Sequence, residues 1–434
     1  MKICLDKRVN RVEKKQPVVR NSSITKRVIS NFLWSVISEA IAKGIFFFTS
    51  IYLARTLGVS NFGVFTLAQV MTFYISFAGD IGISMYGIRE IAKEKEKAED
   101  IINILLTLRI FSGIFFFSLY TVFLLLINIP PLKRLTFIGC GLYLLPYSLY
   151  PDWIYKGFEK FKFIAFGSFV SSSIFLILIL YVVRSSDNLI SAAFIWSLSF
   201  LGGSLSLLYF LKRTLDVKYR PLLDLKLFGF HVKESIYFSI SGLFLAIYQY
   251  LPVLYLSIFS SSYEIGLFSA PYRIVIVTIS AGFLIPAAFY PVFSELYSKD
   301  RIGFIKTHRN FQKIMLFLGT PVGLFGTIWG DEIIRFLLGN QYIQSIGVFK
   351  ILIWLVPLNF LRYTYGSVLL ACGLQRLHNI ATFMGILCMG VAGLFFVPTY
   401  KILGGAISLL LSEGLILSLL ALIFHTKVLK IKEK

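Results

Sequence analysis

The chain has 434 residues, of which 57% are hydrophobic and only 15% are charged, and this leaves more apolar surface than a water-soluble domain can bury. The excess must face lipid, so the composition excludes a soluble globular protein. Lys and Arg number 43 against 22 Asp and Glu, a formal net charge of +21. Such basicity is typical of nucleic-acid binding, of contact with anionic lipid, or of an orientation signal in a membrane protein.

The chain begins with a basic segment, residues 1–28, which carries nine Lys and Arg side chains. It contains no apolar run followed by a small-residue cleavage site, so we expect no secretory signal peptide. We interpret the segment as a cytoplasmic N-terminal tail.

Twelve apolar stretches follow, each long enough to cross a hydrocarbon layer of about 30 Å at about 1.5 Å per helical residue. The first six are 29–53, 62–88, 101–127, 135–151, 161–183 and 189–211. The last six are 234–258, 266–293, 313–330, 348–371, 379–397 and 402–425. The pattern predicts an all-α integral membrane protein of about twelve transmembrane helices. We divide it into an N-lobe (29–211), a basic cytoplasmic connector (212–233), a C-lobe (234–425) and a basic cytoplasmic tail (426–434).

The distribution of Lys and Arg tests the number and direction of these spans, because cytoplasmic loops carry the excess of positive charge. With twelve spans, 32 of the 43 basic residues fall on the side that holds both termini, and six fall on the opposite side. Both termini are therefore predicted to be cytoplasmic, in a multi-pass protein of the cell membrane. Since the basicity is explained by orientation, we expect no nucleic-acid partner. The other five basic residues lie inside spans: Lys43, Arg109, Arg273, Lys350 and Arg362.

An internal repeat is predicted, because six helices return the chain to its starting side and a second six would repeat the first in the same orientation. Sliding the chain by 203 residues without a gap aligns the junctions between the first and second helices of each half. The aligned pairs are Leu53 with Leu256, Gly63 with Gly266, Phe65 with Phe268 and Thr66 with Ser269. The repeat is imperfect, since Ile258 stands opposite Arg55.

Ionisable side chains within the spans of the first half are candidate functional residues, because each costs about 2.5–3.5 kcal/mol to insert. Glu39 and Lys43 lie four apart on one helix face, so they either line a hydrated cavity or neutralise each other structurally. Asp80 lies within Gly79-Asp80-Ile81-Gly82, where a packing role and a functional role are equally plausible. For Arg109, near a span end, we expect snorkelling to the interface.

The second half carries three further charges within spans. Arg273 follows Ala270-Pro271-Tyr272, and a proline beside a buried cation favours an irregular helix that lines a cavity. Arg362 and Glu413 occupy the middle of the tenth and twelfth spans. One cationic and one acidic group are thus available in the second half as well, and pairing between them would leave neither charge free.

No metal site, cofactor site or catalytic constellation is predicted. The four Cys and four His residues are dispersed along the chain and show no ligand spacing. The phosphate-binding loop GxxxxGK[ST], the zinc helix HExxH and the nucleophile elbow GxSxG do not occur. We therefore expect a protein that is not an enzyme and that hydrolyses no nucleotide.

Several short motifs resemble, in their order and spacing, those of the Wzx-type oligosaccharide flippases of polysaccharide biosynthesis. Those of the first half are Asn31-x-x-Trp34, Lys43-Gly44, Leu53-Ala54-Arg55-x-Leu57-Gly58-x-x-x-Phe62-Gly63 and Gly79-Asp80-x-Gly82. Those of the second half are Gly266-Leu267-Phe268-Ser269-Ala270-Pro271-Tyr272-Arg273, Tyr290-Pro291-x-Phe293-Ser294, Leu338-Gly339 and Gly404-Gly405-Ala406. The resemblance covers about residues 25–425.

The resemblance implies two six-helix lobes around a central cavity that opens to alternate sides, in a superfamily with multidrug extruders and the lipid II flippase. It implies a lipid-linked oligosaccharide as cargo, carried on polyprenyl diphosphate from the cytoplasmic to the outer leaflet. It is also compatible with membrane lipids and polysaccharide assembly proteins as partners. A diphosphate cannot cross hydrocarbon unaided, so basic groups in a hydrated cavity would compensate its charge. The candidate phosphate-binding residues are Lys43, Arg55, Arg273 and Arg362. The other candidate substrate-binding residues are Glu39, Asp80, Arg109 and Glu413.

Three other classes of membrane protein share some of these features. A cation-coupled multidrug exporter of the same superfamily would place acidic groups in an apolar pocket, whereas the charges within these spans are mildly cationic in excess. A major-facilitator permease would carry Gly-x-x-x-Asp-Arg-x-Gly-Arg-Arg in the connection at Arg89 to Asp100, and that motif is absent. A membrane polysaccharide polymerase would need a large external loop, but the longest predicted one is 331–347.

Overall fold

The computed structural model describes residues 21–282 and 284–429, with side chains described from residue 41 onward apart from 97, 225, 237–247, 284, 287, 288 and 291. These residues are almost entirely helical. The first eight helices are α1 (Asn21–Asp80), α2 (Ile83–Lys93), α3 (Ala98–Leu126), α4 (Pro131–Gly141), α5 (Leu144–Leu149), α6 (Asp152–Gly157), α7 (Phe161–Val182) and α8 (Leu189–Leu215). The next eight are α9 (Leu225–Phe259), α10 (Ser262–Gly282), α11 (Leu284–Lys299), α12 (Arg301–Ile328), α13 (Gly330–Leu337), α14 (Ile346–Leu352), α15 (Leu355–Ala371) and α16 (Gln375–Ile423).

Two of the longest helices change direction at a single residue. Helix α1 is broken at Gly58 (φ 75°, ψ 168°), between the first two predicted spans, and glycine is the residue that reaches this backbone region without strain. Helix α16 is broken at Lys401 (φ 49°, ψ −118°). Each of these helices therefore consists of two arms, and the α1 arms are 21–57 and 59–80.

Other helix ends differ from the sequence expectation. The predicted span 62–88 is interrupted, because α1 ends at Asp80 and α2 begins at Ile83, after two residues with positive φ, Ile81 (48°) and Gly82 (74°). The side chain of Asp80 stabilises the break by accepting hydrogen bonds from the backbone nitrogen (3.3 Å) and hydroxyl (2.6 Å) of Ser84. The predicted span 135–151 is likewise divided, between α4 and α5.

The predicted connector, 212–233, is partly helical in the structure, and its bounds as a cytoplasmic segment stay a prediction. Helix α8 continues to Leu215 and α9 begins at Leu225, so only the stretch between them is non-helical. Asp224 caps α9 by accepting hydrogen bonds from the backbone nitrogens of Lys226 (2.9 Å) and Leu227 (3.2 Å), which satisfies two of the free donors of the first turn. The predicted tails 1–28 and 426–434 lie mostly outside the described residues.

Eight helical stretches of the described chain are long and apolar enough to cross a membrane by length and composition. They are Ile41–Asp80, Ala98–Leu126, Phe161–Val182, Ser186–Leu215, Ser262–Gly282, Arg301–Ile328, Asn340–Ala371 and Gln375–Leu429. Large apolar side chains on their outer faces are exposed, such as Leu126 (81%), Phe317 (78%) and Leu422 (58%), and such a surface is stable only against lipid. The chain is a multi-pass membrane protein. The count of twelve spans stays a prediction.

The two halves of the chain meet where α1 packs against α10. A Cβ atom on Gly63 would lie 1.8 Å from the carbonyl oxygen of Ser262, and one on Gly266 would lie 2.0 Å from that of Val59. Only glycine permits this approach of backbone to backbone. The two glycines that the sequence repeat aligns therefore lie in one contact.

Candidate functional site

A cavity of about 270 Å³ lies between α1, α9 and α10, beside the glycine contact. Helix α1 contributes Lys43, Phe46, Phe47, Ser50, Thr66, Gln69, Val70 and Phe73. Helices α9 and α10 contribute Gln249, Tyr250, Val253, Ser269, Tyr272, Arg273, Ile276, Val277 and Ser280. Its wall therefore combines aromatic rings, neutral polar groups and two cations, and no carboxylate among the described side chains lines it.

Arg273 projects from α10 into a ring of neutral acceptors on α1, which we name the Arg273 cage: Ser50, Thr66 and Gln69. Nη1 donates to Ser50 Oγ (2.8 Å), and Nη2 donates to Thr66 Oγ1 (3.2 Å) and Gln69 Oε1 (2.5 Å). The guanidinium also lies over the rings of Phe62 (4.9 Å) and Phe46 (5.6 Å), a favourable cation–π arrangement. No described carboxylate pairs with Arg273, so its charge is available to an anion.

Lys43 brings the second cation to the same cavity. Its Nζ donates to Ser280 Oγ on α10 at 3.2 Å, so Lys43 and Arg273 both connect α1 with α10. Lys43 makes a further contact beyond this one. The side chain of Glu39, the predicted neighbour of Lys43, lies outside the described residues.

The close contact of Gly63 with Gly266, which we name the glycine contact, lies one helical turn from the cavity residues Thr66 and Ser269. Behind this contact, the hydroxyl of Tyr342 donates to the carbonyl of Ala54 (3.1 Å), and Gln341 Nε2 donates to the carbonyl of Arg55 (3.0 Å). The side chain of Arg55 is exposed and is not part of the cavity wall. The structure therefore separates Arg55 from Lys43 and Arg273.

Asp80 and Arg109 form a buried ion pair away from this cavity. Arg109 Nε lies 3.2 Å from Asp80 Oδ1, and the two side chains are 2% and 13% exposed. Arg109 Nη1 also donates to the carbonyl of Tyr150 (2.7 Å), and the guanidinium lies 4.7 Å from the ring centre of Tyr147. The expected snorkelling of Arg109 is wrong, because Asp80 at the end of α1 offers this cation a charge partner within the helix bundle.

Arg362 and Glu413 form the corresponding pair in the second half. Arg362 Nε lies 3.1 Å from Glu413 Oε2, so these two opposite charges do pair. Asn359 Oδ1 accepts from Arg362 Nη2 (2.9 Å), and Tyr248 donates its hydroxyl to Glu413. Neither member of the pair lines the cavity between α1, α9 and α10.

The neutral polar residues of the cavity were not among the residues predicted from the sequence. Insertion cost singles out charged side chains and gives no signal for Gln69 or for Ser50. A usable signal was periodicity, since Thr66, Gln69 and Phe73 recur at helical spacing and so share one face of α1. Among the described residues there is no group of three or more His, Cys, Asp and Glu side chains that could hold a metal ion.

Residues 28–297 match the model of a family described as "Polysaccharide biosynthesis protein". A relative from Escherichia coli (strain K12), named "Putative O-antigen transporter", is 26% identical over 387 residues, which cover 85% of this chain and 90% of that protein. Two relatives from Shigella carry the same name.

Solved structures give the fold. The lipid II flippase MurJ in an inward closed conformation superposes with a TM-score of 0.68 at 16% identity, covering 91% of this chain and 87% of that one. An inward-facing multidrug resistance transporter of the MATE family superposes with a TM-score of 0.69 at 15% identity, covering 91% and 99%. The fold is that of the transporter superfamily to which the MATE protein belongs.

Proposed function

The chain belongs to the polysaccharide biosynthesis protein family, and on this premise we propose that it is a flippase for a polyprenyl-diphosphate-linked oligosaccharide. The observation that carries the proposal is Arg273, a cation with only neutral partners among the described side chains, at a cavity between the two halves of the chain. A diphosphate has no stable place in hydrocarbon, and a guanidinium matches phosphate oxygens in charge and geometry.

The two cations give the cavity its polarity. Because Lys43 and Arg273 both line it, an anion between α1 and α10 would have a cation on each side of the interface between the halves. A volume of about 270 Å³ suits a head group rather than a sugar chain. In this conformation the cavity would hold the diphosphate and its first sugar, and the contact of Gly63 with Gly266 would part when the two six-helix lobes rearrange.

The proposed direction is from the cytoplasmic leaflet to the outer leaflet, with both termini in the cytoplasm. Accessibility labels placed between Leu215 and Leu225 and at Lys434 should both report cytoplasm, because that side holds most of the Lys and Arg residues. Labelling of either position from outside intact cells would contradict this orientation.

A cation-coupled multidrug exporter is the second candidate, since the fold superposes well on a MATE transporter. Such an exporter needs a carboxylate in its pocket to attract a cationic drug. Here Asp80 and Glu413 are each paired with an arginine away from the cavity. The pairing favours an anionic cargo, and a membrane polymerase gains no support from any described group.

The test is delivery of lipid-linked oligosaccharide to the outer leaflet in cells that lack the native protein. Arg273→Ala should lower delivery at least tenfold, and Arg273→Lys should retain part of it, because Lys keeps the charge but loses bidentate geometry. Arg184→Ala, in an exposed loop, is the matched control and should deliver normally. Full delivery by a normally expressed Arg273→Ala protein would refute the proposal.

Catalysis offers a separate check. Purified protein supplied with lipid-linked sugar should form no product longer than the substrate, and it should not hydrolyse ATP. The sequence carries none of the catalytic motifs that these reactions require. Turnover of lipid-linked sugar into a polymer would favour the polymerase alternative instead.

A further inference from the structure

Two buried polar groups beside Arg273 have no hydrogen-bond partner in the described structure. They are Nε2 of Gln69 on α1 and Oγ of Ser269 on α10. Both side chains are 2% exposed, and both residues line the cavity. Buried hydrogen-bonding groups are normally paired, so an unpaired one at a cavity wall indicates a place for a missing partner.

The orientation of the Gln69 amide follows from chemistry. A guanidinium can only donate hydrogen bonds, so the amide atom that lies 2.5 Å from Arg273 Nη2 must be the oxygen. The amide nitrogen is then the unused atom, and it carries donors only. The missing partner of Gln69 is therefore an acceptor.

Ser269 lies on the same face of α10 as Arg273, because the two residues are four apart in one helix. Its hydroxyl can donate to an oxygen as well. Arg273, Gln69 and Ser269 thus present donors from both halves of the chain to one cavity whose described wall contains no carboxylate.

We propose that Gln69 and Ser269 are cargo-contacting residues that, together with Arg273, form a subsite for the oxygens of a diphosphate. The inference rests on the proposed function for the kind of cargo and adds two neutral donors to its cation. A diphosphate has several negatively charged oxygens that accept hydrogen bonds. It therefore matches the donors of Arg273, Gln69 and Ser269, which have no carboxylate beside them in the described cavity wall. Gln69 also favours an anionic ligand at the subsite, because its amide accepts a hydrogen bond from Arg273 without neutralising the positive charge.

The test measures binding of farnesyl diphosphate to the purified full chain in lipid nanodiscs. Gln69→Glu should weaken binding at least tenfold, because it replaces a donor with a negative charge that both repels the ligand and neutralises Arg273. Gln69→Met, which keeps the size and removes the donor, and Ser269→Ala should each weaken binding at least threefold. Should the Glu variant not accumulate in membranes, the Met and Ala variants decide the matter.

Matched controls are available at positions outside the cavity. Gln344→Glu changes an exposed glutamine, and Ser408→Ala changes a buried serine that donates to the carbonyl of Gly405. Both should bind farnesyl diphosphate like the unsubstituted protein. Weaker binding of inorganic pyrophosphate to the same variants would support the subsite. If the unsubstituted protein bound farnesol, which lacks the diphosphate, as tightly as farnesyl diphosphate, the subsite would be overturned.

The outcomes separate the inference from the proposed function. Loss of binding in Arg273→Ala together with unchanged binding in the Gln69 and Ser269 variants would overturn the inference and leave the flippase proposal intact. Binding that is absent from the unsubstituted protein, or equal in Arg273→Ala, would overturn both. Weakened binding in all of these variants and in neither control supports both.

Discussion

A buried arginine has different partners in the interior of the helix bundles and at the cavity between α1, α9 and α10. Arg109 and Arg362 lie within the two halves of the chain, and each has a carboxylate within about 3.2 Å, Asp80 and Glu413 respectively. Arg273 lies at the boundary between the halves and has only hydroxyl and amide oxygens around it in the described structure. The three residues are of one type and all lie within predicted spans, so only their surroundings differ.

A charge within a membrane span is therefore a stronger functional clue when no counter-charge lies beside it. A paired arginine is a structural element, since removing either partner leaves an uncompensated charge. An unpaired arginine keeps its electrostatic attraction for a ligand. The loss of stability on substitution should therefore be largest at the two paired arginines and small at Arg273.

The largest effect is expected at the pair of Asp80 and Arg109. Asp80→Ala leaves the cation of Arg109, 2% exposed, without its counter-charge, and such a change typically costs about 3–5 kcal/mol. We expect a loss of that size in the free energy of unfolding, measured by denaturant titration in micelles. Adding Arg109→Met to Asp80→Ala should restore most of it, because the uncompensated charge is then gone. A double variant as unstable as the single one would mean that the pair is not the stabilising element.

A smaller effect is expected at the pair of Arg362 and Glu413. Glu413→Gln removes the negative charge but keeps a side chain that can hydrogen-bond Tyr248, and the side chain of Arg362 is 19% exposed. We expect a loss of about 1–3 kcal/mol, the range typical of an imperfectly satisfied buried group. The exposed Glu332→Gln serves as a control and should leave the unfolding midpoint unchanged. A loss as large as that of Asp80→Ala would show that exposure does not distinguish the two pairs.

The sequence was enough to find the charges, because the cost of inserting them makes each one conspicuous in an apolar span. It made Arg362 and Glu413 candidates for a pair, since they are opposite charges in the middle of two spans of the second half. It did not predict the pairing of Arg109 with Asp80, because that pair depends on where α1 ends. The backbone turns there through Ile81, a β-branched residue for which positive φ is not expected.

The cavity residues were the hardest to predict. Arg273 was selected through its neighbouring proline, whereas Gln69 and Ser269 are uncharged, and a search for charged side chains within spans does not mark them. Their interest arises only from the packing of α1 against α10, which leaves one polar atom of each unpaired. Such a property belongs to the tertiary structure, and no local pattern encodes it.

At Arg273 we expect almost no change in stability. The folded protein already bears this charge without a carboxylate among the described side chains, so Arg273→Met removes an unfavourable desolvation as well as three hydrogen bonds, and the two effects offset each other. The free energy of unfolding should change by less than about 1 kcal/mol, while delivery of lipid-linked oligosaccharide falls at least tenfold. A variant that loses as much stability as Asp80→Ala would place Arg273 with the structural arginines.

The smallest effect of all is expected at Arg55, which the sequence analysis grouped with the phosphate-binding residues and which the structure places outside the cavity wall. Gln341 donates to the backbone carbonyl of Arg55, and a substitution keeps that carbonyl. The side chain is exposed, where a charge is worth little. We therefore expect Arg55→Gln to leave the unfolding midpoint unchanged. Delivery of lipid-linked oligosaccharide should change by no more than about twofold. If Arg55→Gln abolished delivery as Arg273→Ala should, the cargo would have to meet a cation outside the cavity. The absence of a counter-charge within the cavity could then not serve to separate functional from structural arginines.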